Sequence, residues 1–402
     1  MITKAFLFFA SILGLLTLQQ IKCQQTSTTE EMLYKDLPFK MEKVKKAVFP
    51  AYQVSIIDFG AKNDGVTCNT KAFSSAIDTV YKRGGGTVIV PGGLWLTGPI
   101  TLKSNVNLHT ERGALVLFTS DYNEYPMIKT WYEGLNCWRT MSPIYARDAE
   151  NIAITGDGVF DGNGEVWRPV KKGYVTEHQW RRFLASGGVQ NEDKTLWYPT
   201  QGALEGSQMT TSPGDRTEKE SERIKVFLRP VMVNLVNCKK ILLDGVTFQN
   251  SPAWCLHPLM SQDIIVSNVK VENEEWAMNG DAIDLESCKN ILIYNSVFDA
   301  GDDAICIKSG RDEEGRKRGI PTENLIVSNC MVYHGHGGFV IGSEMSGGAR
   351  NIKVSNCTFM GTDVGLRFKS NRGRGGVVEN VYISNINMFN IERDAILFDL
   401  YK

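Results

Sequence analysis

Four short, separated stretches of this chain supply three aspartates, one histidine and two cations that could act together, among the acidic and basic residues they hold. They are "NGDAID" (279–284), "GDDAICIKSG" (301–310), "GHGGFVIGS" (335–343) and "RFK" (367–369). Asp281, Asp302 and Asp303 supply carboxylates, His336 an imidazole, and Arg367 and Lys369 a cationic pair. Two adjacent carboxylates repel, so one of them is pushed toward its protonated form while the other stays ionised. That combination gives an acid and a base side by side. The plainer alternatives are weak once the residues are taken together. Asp302 and Asp303 could be turn formers, but a turn needs neither a third aspartate nor a histidine. Carboxylates could hold Ca²⁺, but a histidine, an arginine and a lysine would crowd a hard cation with unsuitable ligands and charges. His334 and His336, two residues apart with no acidic or thiol neighbour, carry little metal signal.

These residues act together only if the fold stacks them, and an internal repeat supplies the stacking. The phrases "DIIVSNVKV", "NILIYNSVF", "NLIVSNCMV", "NIKVSNCTF" and "NVYISNINM" begin at residues 263, 290, 324, 351 and 380. Weaker copies begin at residues 151 and 240. Each copy alternates apolar and polar residues, turns, and enters a second β-rich run, with no room for a crossover helix. The spacing predicts an all-β chain, a single right-handed parallel β-helix (solenoid), the hand following the rule for parallel crossovers. Asn268, Asn295, Asn329, Asn356 and Asn385 take the same place in each coil, so a ladder is expected at one turn. "NTKAFSSAIDTVYKRGGG" predicts an N-terminal capping helix, with Asn69 or Thr70 as N-cap and Ala72, Phe73, Ala76, Ile77, Val80 and Tyr81 on its apolar face. Residues 162–223 interrupt the repeat and read as a long insertion, with Trp167, Trp180, Trp197 and Tyr198 spread through it. The chain stops in mid-repeat, which predicts a truncated sequence or an exposed last coil with an uncovered edge.

Aligning the second strand of each coil puts the serines at 287, 309, 343 and 370 in one column. Ile283, Ile305, Phe339 and Leu366 then face inward, as do Leu285, Ile307, Ile341 and Phe368. Alternation turns Arg367 and Lys369 to the outer face. Just ahead of these strands Asp302 shares a column with His336, and Asp281 stacks with Asp303. Three carboxylates and a histidine converge on one patch, the acid-and-base arrangement that glycosidic cleavage requires. His257 aligns with the outward column of Lys308 and Lys369 and is a candidate subsite residue. His334 lies in the preceding turn and is assigned a structural place. "RGRGG" (372–376) is either an extension of the positive face or a solvated turn.

The 402 residues carry a net charge of −1, so no basic field marks a nucleic-acid partner. One Lys followed by an apolar run from Ala5 to Leu18 predicts a signal peptide over 1–23, too short for a membrane span. "QIKC" is a poor lipoprotein box, so plain cleavage is expected over a lipid anchor at Cys23. The organisation read from the sequence is a 24–50 extension followed by a 51–402 β-helix, exported to the periplasm or outside the cell, with no integral span after cleavage. Eight cysteines remain after Cys23; export permits disulfides, but burial as small hydrophobes is the expected state of most.

The four motifs, in this order, resemble those of the polygalacturonases, family 28 of the glycoside hydrolases, in a bacterial-type form. The similarity runs over most of the mature chain from "DFGAKNDG" at 58. The resemblance implies hydrolysis of α-1,4-galacturonosidic bonds in homogalacturonan, a pectic polysaccharide, with inversion. It implies Asp302 as general acid, Asp281 and Asp303 as the residues that position and deprotonate water, and His336 as the neighbour that tunes the acid. Arg367 and Lys369 would hold the galacturonate carboxylate and Asn279 would bind substrate; a Tyr beyond the Arg-Lys motif would point to Tyr401. No cofactor and no metal are implied, and a monomer is expected. Gly280 and Phe368 depart from the usual Thr and Ile. Rhamnogalacturonan-cleaving relatives generally lack the histidine found at 336, which favours homogalacturonan. The competing classes are a Ca²⁺-dependent pectate lyase and a non-catalytic carbohydrate-binding β-helix. Internal against terminal cleavage stays open at this point.

Overall fold

The computed structural model describes residues 30–401. The expected signal peptide and Cys23 lie outside the described residues. Of the described residues, 30–43 belong to a first unit, in which Lys43 pairs with Glu31 at 3.3 Å. Val44 onward forms the second unit, which holds every element described below.

A helix, α1 (Thr70–Lys82), precedes the main coils and buries Ala72, Phe73, Ala76, Ile77 and Val80 in the core that the coils share. Asn69 is its N-cap residue, but the Asn69 side chain makes no capping bond. It binds the Lys62 backbone and the Leu96 carbonyl instead. Tyr81 leaves the expected apolar face: it is exposed, beneath the Lys103 ammonium.

A short strand, β1 (Ile100–Thr101), is followed by a hairpin, β2 (Met127–Tyr132) and β3 (Leu135–Thr140), that departs from the coil path. After it come β4 (Ile144–Arg147), β5 (Val233–Val236), β6 (Leu256–Leu259), β7 (Ile283–Glu286), β8 (Asp303–Lys308), β9 (Gly337–Ile341), β10 (Val364–Lys369) and β11 (Asp394–Asp399). These eight and β1 form one nine-stranded parallel sheet in which each neighbour is the next coil along the chain. That order is a parallel β-helix. The remaining coil segments make a 17-stranded parallel sheet, and the repeated phrases lie in it. Ile264, Ile291, Leu325, Ile352 and Val381 are successive register partners. The longest repeat interval contains an extra helix, α5 (Asp312–Arg318), between β8 and the next coil segment.

In-register stacking brings like over like in the interior. Phe160 lies against Phe248 with ring centroids 5.5 Å apart, and Phe298 and Phe359 occupy later coils of the same column. All four are fully buried, and each such side chain contributes about 1.5–3 kcal/mol relative to exposure. The expected asparagine turn is present: Asn268, Asn295, Asn329, Asn356 and Asn385 all have φ near +50°, a conformation asparagine tolerates better than most residues. Asn329 donates to Asn295 at 2.6 Å and Asn385 to Asn356 at 3.1 Å. A second ladder, unforeseen, runs through Asn290, Asn324, Asn351 and Asn380 with bonds of 3.0–3.2 Å.

Residues 162–223 contain a three-stranded antiparallel sheet (Val170–Lys171, Val189–Gln190, Leu196–Tyr198). They also contain the helices α2 (Glu177–Ala185), α3 (Gln201–Gln208) and α4 (Glu218–Arg223). Their scattered aromatics make two small cores, one around Trp167 and Tyr198 and one around Trp180 and Trp197. Arg168 ties this segment to the coils; it is fully buried and donates to Glu274 at 2.6 Å and Asn250 at 2.8 Å. At the last coil Ile396, Phe398 and Leu400 are exposed, with Phe398 stacked on Phe368 at 4.6 Å. The eight cysteines among the described residues are free thiols, and seven are buried. No helix among the described residues is long and apolar enough to cross a membrane.

Candidate active site

The site grows out of the register of β7 to β10. Ile283 pairs with Ile305, Ile305 with Phe339 and Phe339 with Leu366, so these four face inward and their neighbours are shared across coils. Two residues before Ile283 and Ile305 the same register stacks Asp281 beside Asp303, with the Ala282 N–H donating to the Asp303 carbonyl at 3.0 Å. One residue earlier, the His336 N–H donates to the Asp302 carbonyl at 2.8 Å, and the His336 Nδ1 lies 3.1 Å from the Asp302 Oδ1. Both column assignments made from the sequence hold.

The cations complete the patch. Lys369 Nζ is 2.5 Å from Asp303 Oδ2, and Arg367 Nη1 is 4.0 Å from Asp303 Oδ1. Lys369 and Asp303 are buried, whereas Arg367 is partly open and lines a cavity of about 690 Å³ with His336, Trp276, Tyr174 and Arg393. A smaller adjoining cavity of about 210 Å³ is lined by Asp302, His336, Asn279, Trp276 and Lys171. Asn279 has φ +55° and accepts from the Arg229 Nη2 at 2.7 Å, which fixes its amide at the edge of this space.

The electrostatics refine the expectation that one of two neighbouring carboxylates is raised. Asp281 is raised well above the usual carboxylate range, first by burial and then by Asp284 and Asp302. Asp284 is pushed up to about 8, again by burial first, against the pull of Lys308 3.5 Å away. Asp302 goes the other way. Burial is the largest single influence on it and raises it, but His336, Lys369 and Lys308 together outweigh that and bring it to about 2. His336 is raised in return by its bond to Asp302. The pairing thus favours the Asp302 carboxylate and the charged form of His336, while burial favours the protonated forms of Asp281 and Asp284. Asp281, Asp303 and Cys306 bring ligand atoms within 4.8 Å of one another. Lys369 already neutralises Asp303 at 2.5 Å, so a cation there would meet an ammonium.

His257 requires a correction. Its register partners are Asn234 and, through Leu256 against Ile283, Asp284, so it belongs to the column of Cys306 and Arg367 and not to that of Lys308 and Lys369. It is fully buried with both ring nitrogens engaged, Nδ1 with Asn234 at 2.9 Å and Nε2 with Glu286 at 3.1 Å. The cause is the hairpin: Tyr132 of β2 stacks on Trp254 at 4.5 Å and Thr130 reaches Asn234, covering the outer face of β5 and β6. His334 bonds Asp299 at 3.0 Å, in keeping with a structural place. Arg374 of "RGRGG" bonds Asp312 and Glu344 and is buried. Tyr401 is exposed beside Arg372 and does not line the 690 Å³ cavity. Trp276 and Tyr174 escaped the sequence reading because they come from loops outside the repeat. Asp284 escaped although it stands inside "NGDAID"; alternation marked it as outward, yet it is fully buried 3.5 Å from Lys308.

The description "Glycosyl hydrolases family 28" matches residues 202–401. A hyperthermoactive exopolygalacturonase from Thermotoga maritima has a similar solved structure, with TM-score 0.76 and 35% identity, covering 93% of this chain and 80% of that one. A family 28 exopolygalacturonase of Yersinia enterocolitica has TM-score 0.71 at 25% identity, covering 88% and 62%. Among curated sequences, a probable polygalacturonase of Vitis vinifera is 30% identical over 84% of this chain and 61% of its own length. An exo-poly-alpha-D-galacturonosidase of Dickeya chrysanthemi is 29% identical over 86% and 57%. The chain thus spans about three fifths of the length of these two curated relatives.

Proposed function

The chain belongs to family 28 of the glycosyl hydrolases, and from that membership we propose that it hydrolyses α-1,4-galacturonosidic bonds of homogalacturonan by a single inverting displacement. The observation that carries the reading is the Asp302–His336 pair facing a cavity that Arg367 also lines, with Asp281 and Asp303 stacked beside it. Asp302 protonates the leaving oxygen. The proton is held on the Asp302–His336 pair, whose Nδ1–Oδ1 separation of 3.1 Å lets it move to the carboxylate once sugar displaces solvent from the imidazole. Asp281 and Asp303 orient the attacking water and one of the two carboxylates takes its proton as the new bond forms; the Oδ1 of each makes no hydrogen bond to protein. Arg367 and Lys369 read the galacturonate carboxylate, and Asn279 contacts the sugar. Trp276 and Tyr174 offer apolar ring faces to the pyranose.

Cleavage near one chain end is part of the proposal. The outer face of the coils before β7 is covered by β2 and β3, with Asn234, Trp254 and His257 all buried, so a polysaccharide has no open path across them. The same reading includes export after cleavage of 1–23, a 24–50 extension before the catalytic coils of 51–402, and action as a monomer. Incubation with a defined, end-labelled oligogalacturonide tests it: one short product should appear first, carrying a new reducing end and no double bond. A ladder of internal fragments would refute terminal action, and an unsaturated, ultraviolet-absorbing product would mark a lyase.

A further inference from the structure

Three arginines converge just past Asn279, from parts of the chain that share no repeat. Arg139 comes from β3, Arg216 from the segment before α4, and Arg229 from the segment before β5. They line one cavity of about 300 Å³ together with Trp138, Trp167 and Asn279. Its boundary at Met278 and Asn279 is shared with the 210 Å³ cavity that holds Asp302 and His336. The two spaces therefore adjoin along the covered side of the site.

The cavity also contains one carboxylate, Glu133, which lies 3.6 Å from Arg311, so the three guanidiniums face a carboxylate that is paired elsewhere. None of the three guanidiniums forms an ion pair among the described residues, although Arg216 is only 8% exposed. The polar bonds they do make lead to neutral groups: Arg216 Nε to the Thr211 carbonyl at 3.1 Å, and Arg229 to the Pro252 and Met278 carbonyls and Asn279. Arg139 donates to the Arg229 carbonyl and lies 3.7 Å over the Tyr132 ring. Arg229 is lowered to about 10, by burial first, with Arg139 and Arg168 adding to the lowering and Tyr132 and Glu133 opposing it. Gathering like charges out of water is unfavourable unless an anion joins them. A guanidinium fork also matches a carboxylate in two parallel bonds.

We infer that this cavity receives the carboxylate of the terminal sugar of the chain, so that Arg139, Arg216 and Arg229 set how far from the end the bond is cut. The inference rests on the galacturonan reading above and extends it from the reacting sugar to the one beyond. The aromatic walls suit a sugar face, and the three charges distinguish an acidic terminal sugar from a neutral one.

Steady-state kinetics on a defined oligogalacturonide, with wild type, Arg216→Gln, Arg216→Lys and Arg139→Gln, provide the test. Removal of one guanidinium should raise KM by about tenfold to a hundredfold with kcat little changed, because a charged hydrogen bond made equally in ground and transition state is lost. Arg216→Lys should recover part of the loss, and the first-formed products of Arg216→Gln should become heterogeneous in length. Turnover by wild type with KM and product length unchanged in both Gln variants would overturn the pocket and leave the hydrolase reading intact. No turnover of galacturonan by wild type would overturn both. Should Arg216→Gln fail to fold, Arg139→Gln carries the same comparison.

Discussion

Replacing Asp284 by Asn should change how stability depends on pH, and the structure sets the size of the effect. Asp284 is fully buried, one coil from Asp303 and 3.5 Å from the Lys308 ammonium. Burial, the largest influence, and the nearby Asp303 and Asp302 raise it to about 8 from an ordinary 3.8, with Lys308 opposing. A carboxyl raised on folding adds stability that is fully present below 3.8 and is lost as pH rises through about 8. In that window the folded chain holds a proton that the unfolded chain has released, and each pH unit removes about 1.4 kcal/mol. Asn copies the protonated carboxyl and takes up no proton. Between about pH 4 and pH 7 the stability of Asp284→Asn should therefore rise relative to wild type, by at most about 4 kcal/mol. Partial ionisation stabilised by Lys308, and sharing of the proton with Asp281, would make it less. Urea unfolding followed by tryptophan fluorescence at several pH values reads the difference directly. A stability gap that stays constant across this range would refute the assignment of a neutral Asp284.

Asp302→Asn should fold normally and lose about a thousandfold in turnover, within the usual span for a general acid; retention of a tenth of the wild-type rate would remove Asp302 from that role. Arg367→Ala should raise KM and lower kcat/KM, and fully methyl-esterified pectin should be a poor substrate for wild type; equal rates on esterified and free polymer would show that the carboxylate is not read. His336→Gln should move the alkaline limb of the kcat/KM profile to lower pH, because the imidazolium that Asp302 keeps protonated above the ordinary histidine value is gone. An unchanged limb would separate His336 from the proton that reaches the leaving group.

Much of the site was legible in the sequence because a parallel solenoid turns equal offsets into neighbours. Asp281 over Asp303 and Asp302 over His336 follow from the register of Ile283, Ile305 and Phe339, and alternation puts Arg367 and Lys369 outward. The asparagine column was legible for the same reason. Whatever lies off the repeat was not. The hairpin of β2 and β3 carries no repeat signal, so the burial of His257 and Trp254 beneath it had no trace in spacing. His257 was also assigned to the wrong outward column, since "CLHP" lacks the apolar alternation that fixes the later strands. Arg139, Arg216 and Arg229 are far apart in sequence and meet only through the hairpin and the insertion. Protonation was half legible: mutual repulsion predicts one raised carboxyl, but that Asp302 is lowered depends on the 3.1 Å bond to His336.

In the central step a water attacks from the face opposite the leaving group while Asp302 donates a proton. Proton NMR of the first-formed product from an α-linked oligogalacturonide, recorded before mutarotation, tests this most directly. Single displacement predicts that the β-anomer appears first. An initial α-anomer, or a glycosyl adduct trapped on Asp281 or Asp303, would contradict it.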